Sequence, residues 1–217
     1  MQGGGKPAGE QRGKPQGAQG ARAYFGVHAL KSFLQGLQAK GEKPIVLDLS
    51  PASNANLEYF LQFGLKVYLY DILREVSEKE EGLGDANAKV KVATLAMRLV
   101  EAFPFQGIPF DGVILWNTLD YLSDLVFPIV LTKALGALRD KGLLYAFFFE
   151  ETAPLAYERI QIANINQVTV EPLPALPVKR LRTFSNRMIQ DLFGGHKIEA
   201  FYMTPNGIRE VLVRKHS

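Results

Sequence analysis

The sequence predicts an α/β domain of three layers, a mostly parallel sheet between two layers of helices, ending in an antiparallel hairpin. Three observations carry this. Short β-rich runs recur at 45–49, 66–70, 112–116 and 143–149, and those at 45–49, 112–116 and 143–149 have the pattern of buried strands. Stretches with apolar residues at helical spacing alternate with them. Two alternating runs, 197–203 and 208–214, flank Asn206–Gly207 near the end of the chain, a strong hairpin signal.

Composition narrows the function classes. The chain has 217 residues, 47% of them hydrophobic, enough for one domain with a substantial core. It has no cysteine, which excludes disulfides, thiolate nucleophiles and thiolate metal sites. His28, His196 and His216 are scattered, so no metal site is expected. No apolar run reaches the roughly 20 residues that span a bilayer. The first thirty residues lack the apolar core of a signal peptide, and a cytoplasmic protein is expected. The net charge of +3 resides in residues 1–22, where Lys6, Arg12, Lys14 and Arg22 oppose Glu10. The remainder is neutral, so a nucleic-acid partner is not expected.

Taken in order, residues 1–20 are Gly, Gln, Lys, Pro and Ala, a basic tail too polar to offset its ordering entropy. The folded domain is expected over 21–217. Residues 21–40 carry Tyr24, Phe25, His28, Leu30, Phe33, Leu34 and Leu37 in a broad helical stripe, with His28 expected to be packed. The strand at 45–49 leads through Ser50–Pro51 to Ser53 and Asn54, both good helix N-caps. Leu57, Phe60, Leu61 and Leu65 follow at helical spacing, with Gly64 placed as a C′ residue. The strand at 66–70 delivers Asp71, and 72–81 reads as a charged, solvated helix broken at 82–84. Residues 86–103 read as helix, with a short edge strand at 90–93 as the alternative.

The strand at 112–116 opens into the loop 117–123. Ser123 or Asp124 is expected to cap a helix that runs through Leu138 and stops at Gly142, with Pro128 in or near its first turn. The strand at 143–149 then brings Glu150 and Glu151 to the same sheet edge. Residues 152–183 break the rhythm with little helical signal, and so long a connection in a compact domain suggests a binding lid. Lys179, Arg180, Arg182 and Arg187 within and after it read as a solvated basic face. Ser185 caps a short helix ending at Gly194.

This order of elements resembles the Rossmann-like class I methyltransferases that use S-adenosylmethionine, over about residues 25–214. VLDL at 46–49, FDGVILWNTLDYLSD at 110–124 and ALGALRDKGLLYAFFF at 134–149 match that family's strand motifs. The resemblance implies a Rossmann-like sheet of the seven-stranded type and S-adenosylmethionine as cofactor. It places Asp48 at the acidic end of the first motif, and Asp71 with Ile72 at the ribose. Asp71 follows Ser50 by 21 residues, near the roughly 20 expected of such folds. Ser50, Ala52 and Asn54 stand where the family has glycines, and they form the rest of the cofactor loop together with Asn117. Asp120 and Tyr121 are placed to touch the methyl acceptor. No catalytic base is assigned, since methyl transfer depends mainly on positioning. The acceptor is not identified.

The alternative is a methyltransferase-like interaction protein without cofactor, binding a protein partner through the tail or 152–183. Bulky residues such as Leu49, Tyr59 or Trp116 filling the space above the strand ends would favour it.

Overall fold

The computed structural model describes residues 22–39, 43–81, 87–103, 105, 107–151, 153–176, 178–204 and 208–216. The expected tail at 1–20, the helix break at 82–84 and the Asn206–Gly207 turn lie outside them. The strands are β1 (Arg22–Phe25), β2 (Ile45–Asp48), β3 (Lys66–Leu69), β4 (Phe110–Trp116), β5 (Leu138–Phe148), β6 (Glu158–Asn164), β7 (Gln167–Pro172), β8 (Lys197–Met203) and β9 (Arg209–Arg214). The helices are α1 (Ala29–Gln38), α2 (Asn54–Gln62), α3 (Ile72–Glu81), α4 (Ala88–Ala102), α5 (Phe127–Ala137) and α6 (Asn186–Leu192).

The main sheet has the order β3-β2-β4-β5-β9-β8. β3, β2, β4 and β5 run parallel, while β9 and β8 are antiparallel. The mostly parallel α/β architecture and its closing antiparallel pair are therefore as the sequence predicts. Among the described residues the sheet has six strands rather than seven. The segment that offered a further edge strand, 90–93, lies inside α4.

Side chains alternate between the two faces of the buried strands, as the pleat requires. Leu47, Val113, Leu115 and Leu144 pack against Ile72, Leu73 and Val76 of α3, Leu95 and Leu99 of α4, Val130 and Leu131 of α5, and Ile189 of α6. Val46, Ile114 and Tyr145 pack on the opposite face against Leu30, Phe33, Leu34 and Leu37 of α1 and Phe60 of α2. A Cβ at Gly112 would stand 2.7 Å from Cζ of Phe33, so this glycine lets α1 press onto β4.

Several local expectations change. The stripe at 21–40 divides into a strand and a helix: residues 22–25 form β1, antiparallel to β7. Gly26, at φ +78°, turns the chain between them. His28 is exposed rather than packed, at the N-cap of α1, and its ring meets that of Tyr202 edge-on at 5.4 Å. Its side chain caps nothing. The capping group is Glu210 of β9, whose carboxylate accepts the backbone N–H groups of His28 (2.6 Å) and Ala29 (3.1 Å).

Neither Ser123 nor Asp124 serves as the N-cap of α5. The Ser123 carbonyl accepts from both Val126 and Phe127 at 3.0 Å, and the helix begins one turn later with Pro128 in its first turn. It also stops before Leu138. β5 starts there, and a register shift against β4 and a left-handed Lys141 (φ +60°) carry it past Gly142.

The helix-poor segment 152–183 is largely a hairpin. β6 and β7 pair with each other, and β1 adds to the outer edge in the order β1-β7-β6. Ile160, Ile162, Val168 and Val170 bury one face of this small sheet in the α1 side of the core.

Candidate functional site at the carboxyl ends of the parallel strands

The chain leaves β2 outward to β3, then returns to the other side of β2 with β4. This reversal makes a crevice at the carboxyl ends of β2 and β4, where open α/β sheets bind ligands. Asp48 ends β2 at this point and is buried. Its Oδ1 accepts from the Ser50 backbone N–H (3.0 Å) and hydroxyl (2.7 Å), and its Oδ2 from the Trp116 indole N–H (3.3 Å). Burial pushes its carboxyl up to about 6 against the pull of these bonds, with the nearby Asp71 charge adding to the rise.

The loop after β2 needs no glycine. Among the described residues only Trp116 and Lys141 are non-glycines at positive φ. Ser50, Ala52 and Asn54 therefore keep backbone angles open to any residue. Ser50 is buried, whereas Ala52 and Asn54 are exposed. Asn54 is the first residue of α2, and the cap is Ser53, whose hydroxyl accepts from Asn56 N–H at 3.3 Å.

Asp71 is half-buried and follows β3. Its Oδ1 accepts the Arg74 N–H at 3.0 Å, capping α3, and burial raises its carboxyl. Ile72 beside it belongs to the core. Asn117 and the tight turn Thr118–Tyr121 follow β4 and are wholly or nearly buried. Asp120 Oδ2 accepts from Phe149 N–H at 3.0 Å. Burial lifts its carboxyl to about 7, although Arg180, Arg209 and Arg182 act in the opposite sense. The structure thus gathers Asp48, Ser50, Asn117, Asp120 and Tyr121 near the strand ends and leaves the side chains of Ala52 and Asn54 outside.

The hairpin roofs this region through polar contacts. Asn56 donates to the Ile160 carbonyl (2.8 Å) and accepts from Ile162 N–H (2.7 Å). Asn117 donates to the Glu158 carbonyl at 3.0 Å, Arg159 to the Ala52 carbonyl at 3.1 Å, and Tyr121 to the Ala156 carbonyl at 3.3 Å. Tyr157 is buried beneath the roof, its ring 4.9 Å from that of Tyr121. Burial raises its phenol well above the ordinary value, and the charges of Asp48 and Asp71 push the same way. Sequence reasoning offered no signal for Tyr157.

Two of the four cations expected to be solvated are instead structural. Arg180 is buried and donates to the carbonyls of Glu150, Glu151 and Ala153. Arg182 donates to the Leu122 carbonyl at 2.7 Å, pairs with Asp124 and lies over the Phe127 ring.

Four buried polar atoms in and around the crevice have no hydrogen-bond partner: Asn117 Oδ1, Thr118 Oγ1, Asp120 Oδ1 and Tyr157 Oη. Such groups are costly unless something binds them. Three of the four belong to the turn after β4. Asp48 ends β2, and Asp71 follows β3, the strand paired parallel to it. Among the described residues no cluster of three His, Asp or Glu could hold a metal ion.

Solved structures are similar to this chain in fold. CalS10, an amino pentose methyltransferase from Micromonospora echinaspora solved with S-adenosylmethionine, matches at a TM-score of 0.50 and 14% identity, over 86% of this chain and 89% of its own. The chain has the class I methyltransferase fold. The 1,6-didemethyltoxoflavin N1-methyltransferase of Burkholderia thailandensis matches at a TM-score of 0.48 and 18% identity, over 87% of this chain and 79% of its own. No known protein-family description matches the sequence, and no curated protein does. In this methyltransferase fold the crevice at β2 and β4 is the switch point, and the β6–β7 hairpin lies between the fifth strand of the chain and α6. No described helix is long and apolar enough to cross a membrane.

Proposed function

We propose that the chain binds S-adenosylmethionine at the ends of β2, β3 and β4 and transfers its methyl group to an acceptor admitted beneath the hairpin. The observation that carries this reading is the set of acceptor atoms at the switch point. Asp48 and Asp71 end adjacent strands, and Asn117 Oδ1 and Asp120 Oδ1 are buried without partners. These groups fit the cofactor's positive charge and its ribose hydroxyls. Asp71 would hold the hydroxyls, Asp48 and the loop from Ser50 the methionine end, and Asn117 the purine side, with Ile72 as an apolar wall. When bound, the cofactor supplies a methyl group activated on a sulfonium. The chain's share is to orient it, exclude water with the hairpin and hold the acceptor in line. Asp120 and Tyr121, under the hairpin, would contact the acceptor.

One observation favours a second reading, a protein that keeps the fold without the cofactor. Asp48 already accepts three internal hydrogen bonds from Ser50 and Trp116. Calorimetric titration with S-adenosylhomocysteine decides between them. The first reading expects micromolar binding, and Asp71→Ala should weaken it by about 1–3 kcal/mol through loss of charge-assisted hydrogen bonds. No heat and no thermal shift at millimolar ligand would leave the second reading standing.

A further inference from the structure

A separate cavity of about 340 Å³ opens within the roof, lined by Leu155, Ala156, Tyr157, Leu173, Leu176 and Lys179 among others. Its floor is buried Tyr157 and Leu176, while Leu155, Ala156 and Lys179 stand exposed at its mouth. The walls are fastened by main-chain bonds: Leu173 N–H to the Tyr157 carbonyl (3.1 Å), Leu176 to Leu173 (3.0 Å), Val178 to Leu176 (2.8 Å) and Arg180 to Leu155 (2.7 Å). Tyr121 adds its hydroxyl to the Ala156 carbonyl at 3.3 Å. A cavity framed in this way is preformed, and its volume lies in the range of small-molecule sites, about 300–1,000 Å³.

Two features say what it would take. The lining side chains are apolar apart from Lys179 and the phenol of Tyr157, so the ligand has an apolar body and one negative charge near the mouth. The floor residue Tyr157 carries an unpartnered buried hydroxyl, and its ring lies 4.9 Å from that of Tyr121 in the turn after β4. Its ring therefore stands between the cavity and Tyr121, one of the two residues proposed to contact the acceptor. We infer that this cavity binds an apolar organic monoanion, which is the acceptor class of the proposed reaction, with its charge on Lys179 and its far end at Tyr157. The acceptor assignment rests on the cofactor reading above; the binding site does not.

The probe is 8-anilinonaphthalene-1-sulfonate, titrated into the folded 217-residue chain and followed by fluorescence. Saturable binding with one-to-one stoichiometry is expected. Lys179→Glu should weaken it about tenfold by replacing an attractive charge with a repulsive one. Ala156→Trp, which places a ring in the mouth, should also weaken it. Lys133→Glu alters the cation beside the separate groove of Phe103, Ile108 and Leu138 and should leave binding unchanged, and circular dichroism checks that each variant is folded. Binding that is insensitive to Lys179→Glu, or that responds to Lys133→Glu instead, overturns the site. Probe binding without any response to S-adenosylhomocysteine keeps the cavity as a monoanion site and overturns its role as an acceptor site.

Discussion

The indole N–H of Trp116 lies 3.3 Å from Oδ2 of Asp48, joining the ends of two adjacent parallel strands at the switch point of the sheet. Trp116 reaches this position from a left-handed backbone, φ +43°. Such a conformation in a bulky residue costs on the order of 1–3 kcal/mol and persists only where surrounding structure over-determines it. Packing edge-on against Tyr145, with ring centroids 5.4 Å apart, supplies part of that constraint.

Trp116→Phe keeps most of the ring and removes the donor. It should destabilise the protein by about 1–3 kcal/mol, the range for a buried bond to a charged acceptor. The Asp48 carboxyl should titrate higher than in the parent. Urea unfolding at neutral pH and carboxyl chemical shifts followed through a pH titration check the two effects. A variant as stable as the parent would mean that the indole contributes nothing to holding Asp48.

Stability should depend on pH through Asp48 and Asp120. Their folded carboxyls titrate near 6 and near 7, against an ordinary value of 3.8. Between these limits the folded state binds more protons than the unfolded chain, so its stability falls as pH rises. The loss begins near pH 4 and is complete above the folded values. Asp120→Asn retains an acceptor for the Phe149 N–H and removes the buried charge. At pH 8 it should be more stable than the parent, by up to a few kcal/mol at about 1.4 kcal/mol for each tenfold change in proton affinity. The advantage should vanish near pH 4. Chemical denaturation across that range measures it, and parallel curves for the two proteins would refute the assignment to Asp120.

Glu210 should be among the most sensitive positions in the fold. Its wholly buried carboxylate accepts the N–H groups that open α1 and also the Tyr145 hydroxyl at 2.7 Å. Glu210→Ala leaves these neutral donors unpaired and should cost several kcal/mol, at about 1–3 kcal/mol for each buried group left unsatisfied. Glu210→Gln keeps an acceptor and should cost less. Equal losses in the two variants would show that a neutral acceptor of the same volume cannot replace the carboxylate.

The same residue marks where the sequence stops being legible. The strands β2, β4 and β5 could be read as apolar runs that are largely buried and the edge strand β3 as a β-rich run, while α2 and α4 could be read from their periodicity, α3 from its charge and α6 from its Ser185 cap. Helix α1 could be placed but not its start, because its cap lies about 180 positions away on β9. The apolar residues of 22–25 fit a helical stripe as well as a strand, and only pairing with β7 decides between them. Asp48 and Asp71 were placed at the strand ends by the resemblance to the methyltransferase motifs, with the spacing from Ser50 to Asp71 in agreement. Tyr157 was not, since a lone tyrosine in an irregular segment has no local pattern that reveals what it will cover. Arg180 and Arg182 read as a charged surface because sequence records their charge and not the carbonyls that surround them.

Asn56 should control how firmly the roof is held. Its amide makes two hydrogen bonds to the β6 backbone, to Ile160 and from Ile162, so α2 and the hairpin are joined through one side chain. Asn56→Ala removes both, leaving a buried N–H and a buried carbonyl to find water or open. The cost should be about 1–3 kcal/mol. Its effect should concentrate in the hairpin, because β2 to β5 keep their own ladder. Hydrogen exchange followed residue by residue is the appropriate measurement. The Ile162 amide and its neighbours in β6 should lose protection, whereas Val113 and Leu144 in the central strands should keep theirs. Uniform loss across both sheets would mean that the roof and the main sheet open as one unit, with Asn56 supporting the whole fold rather than fastening a separable lid.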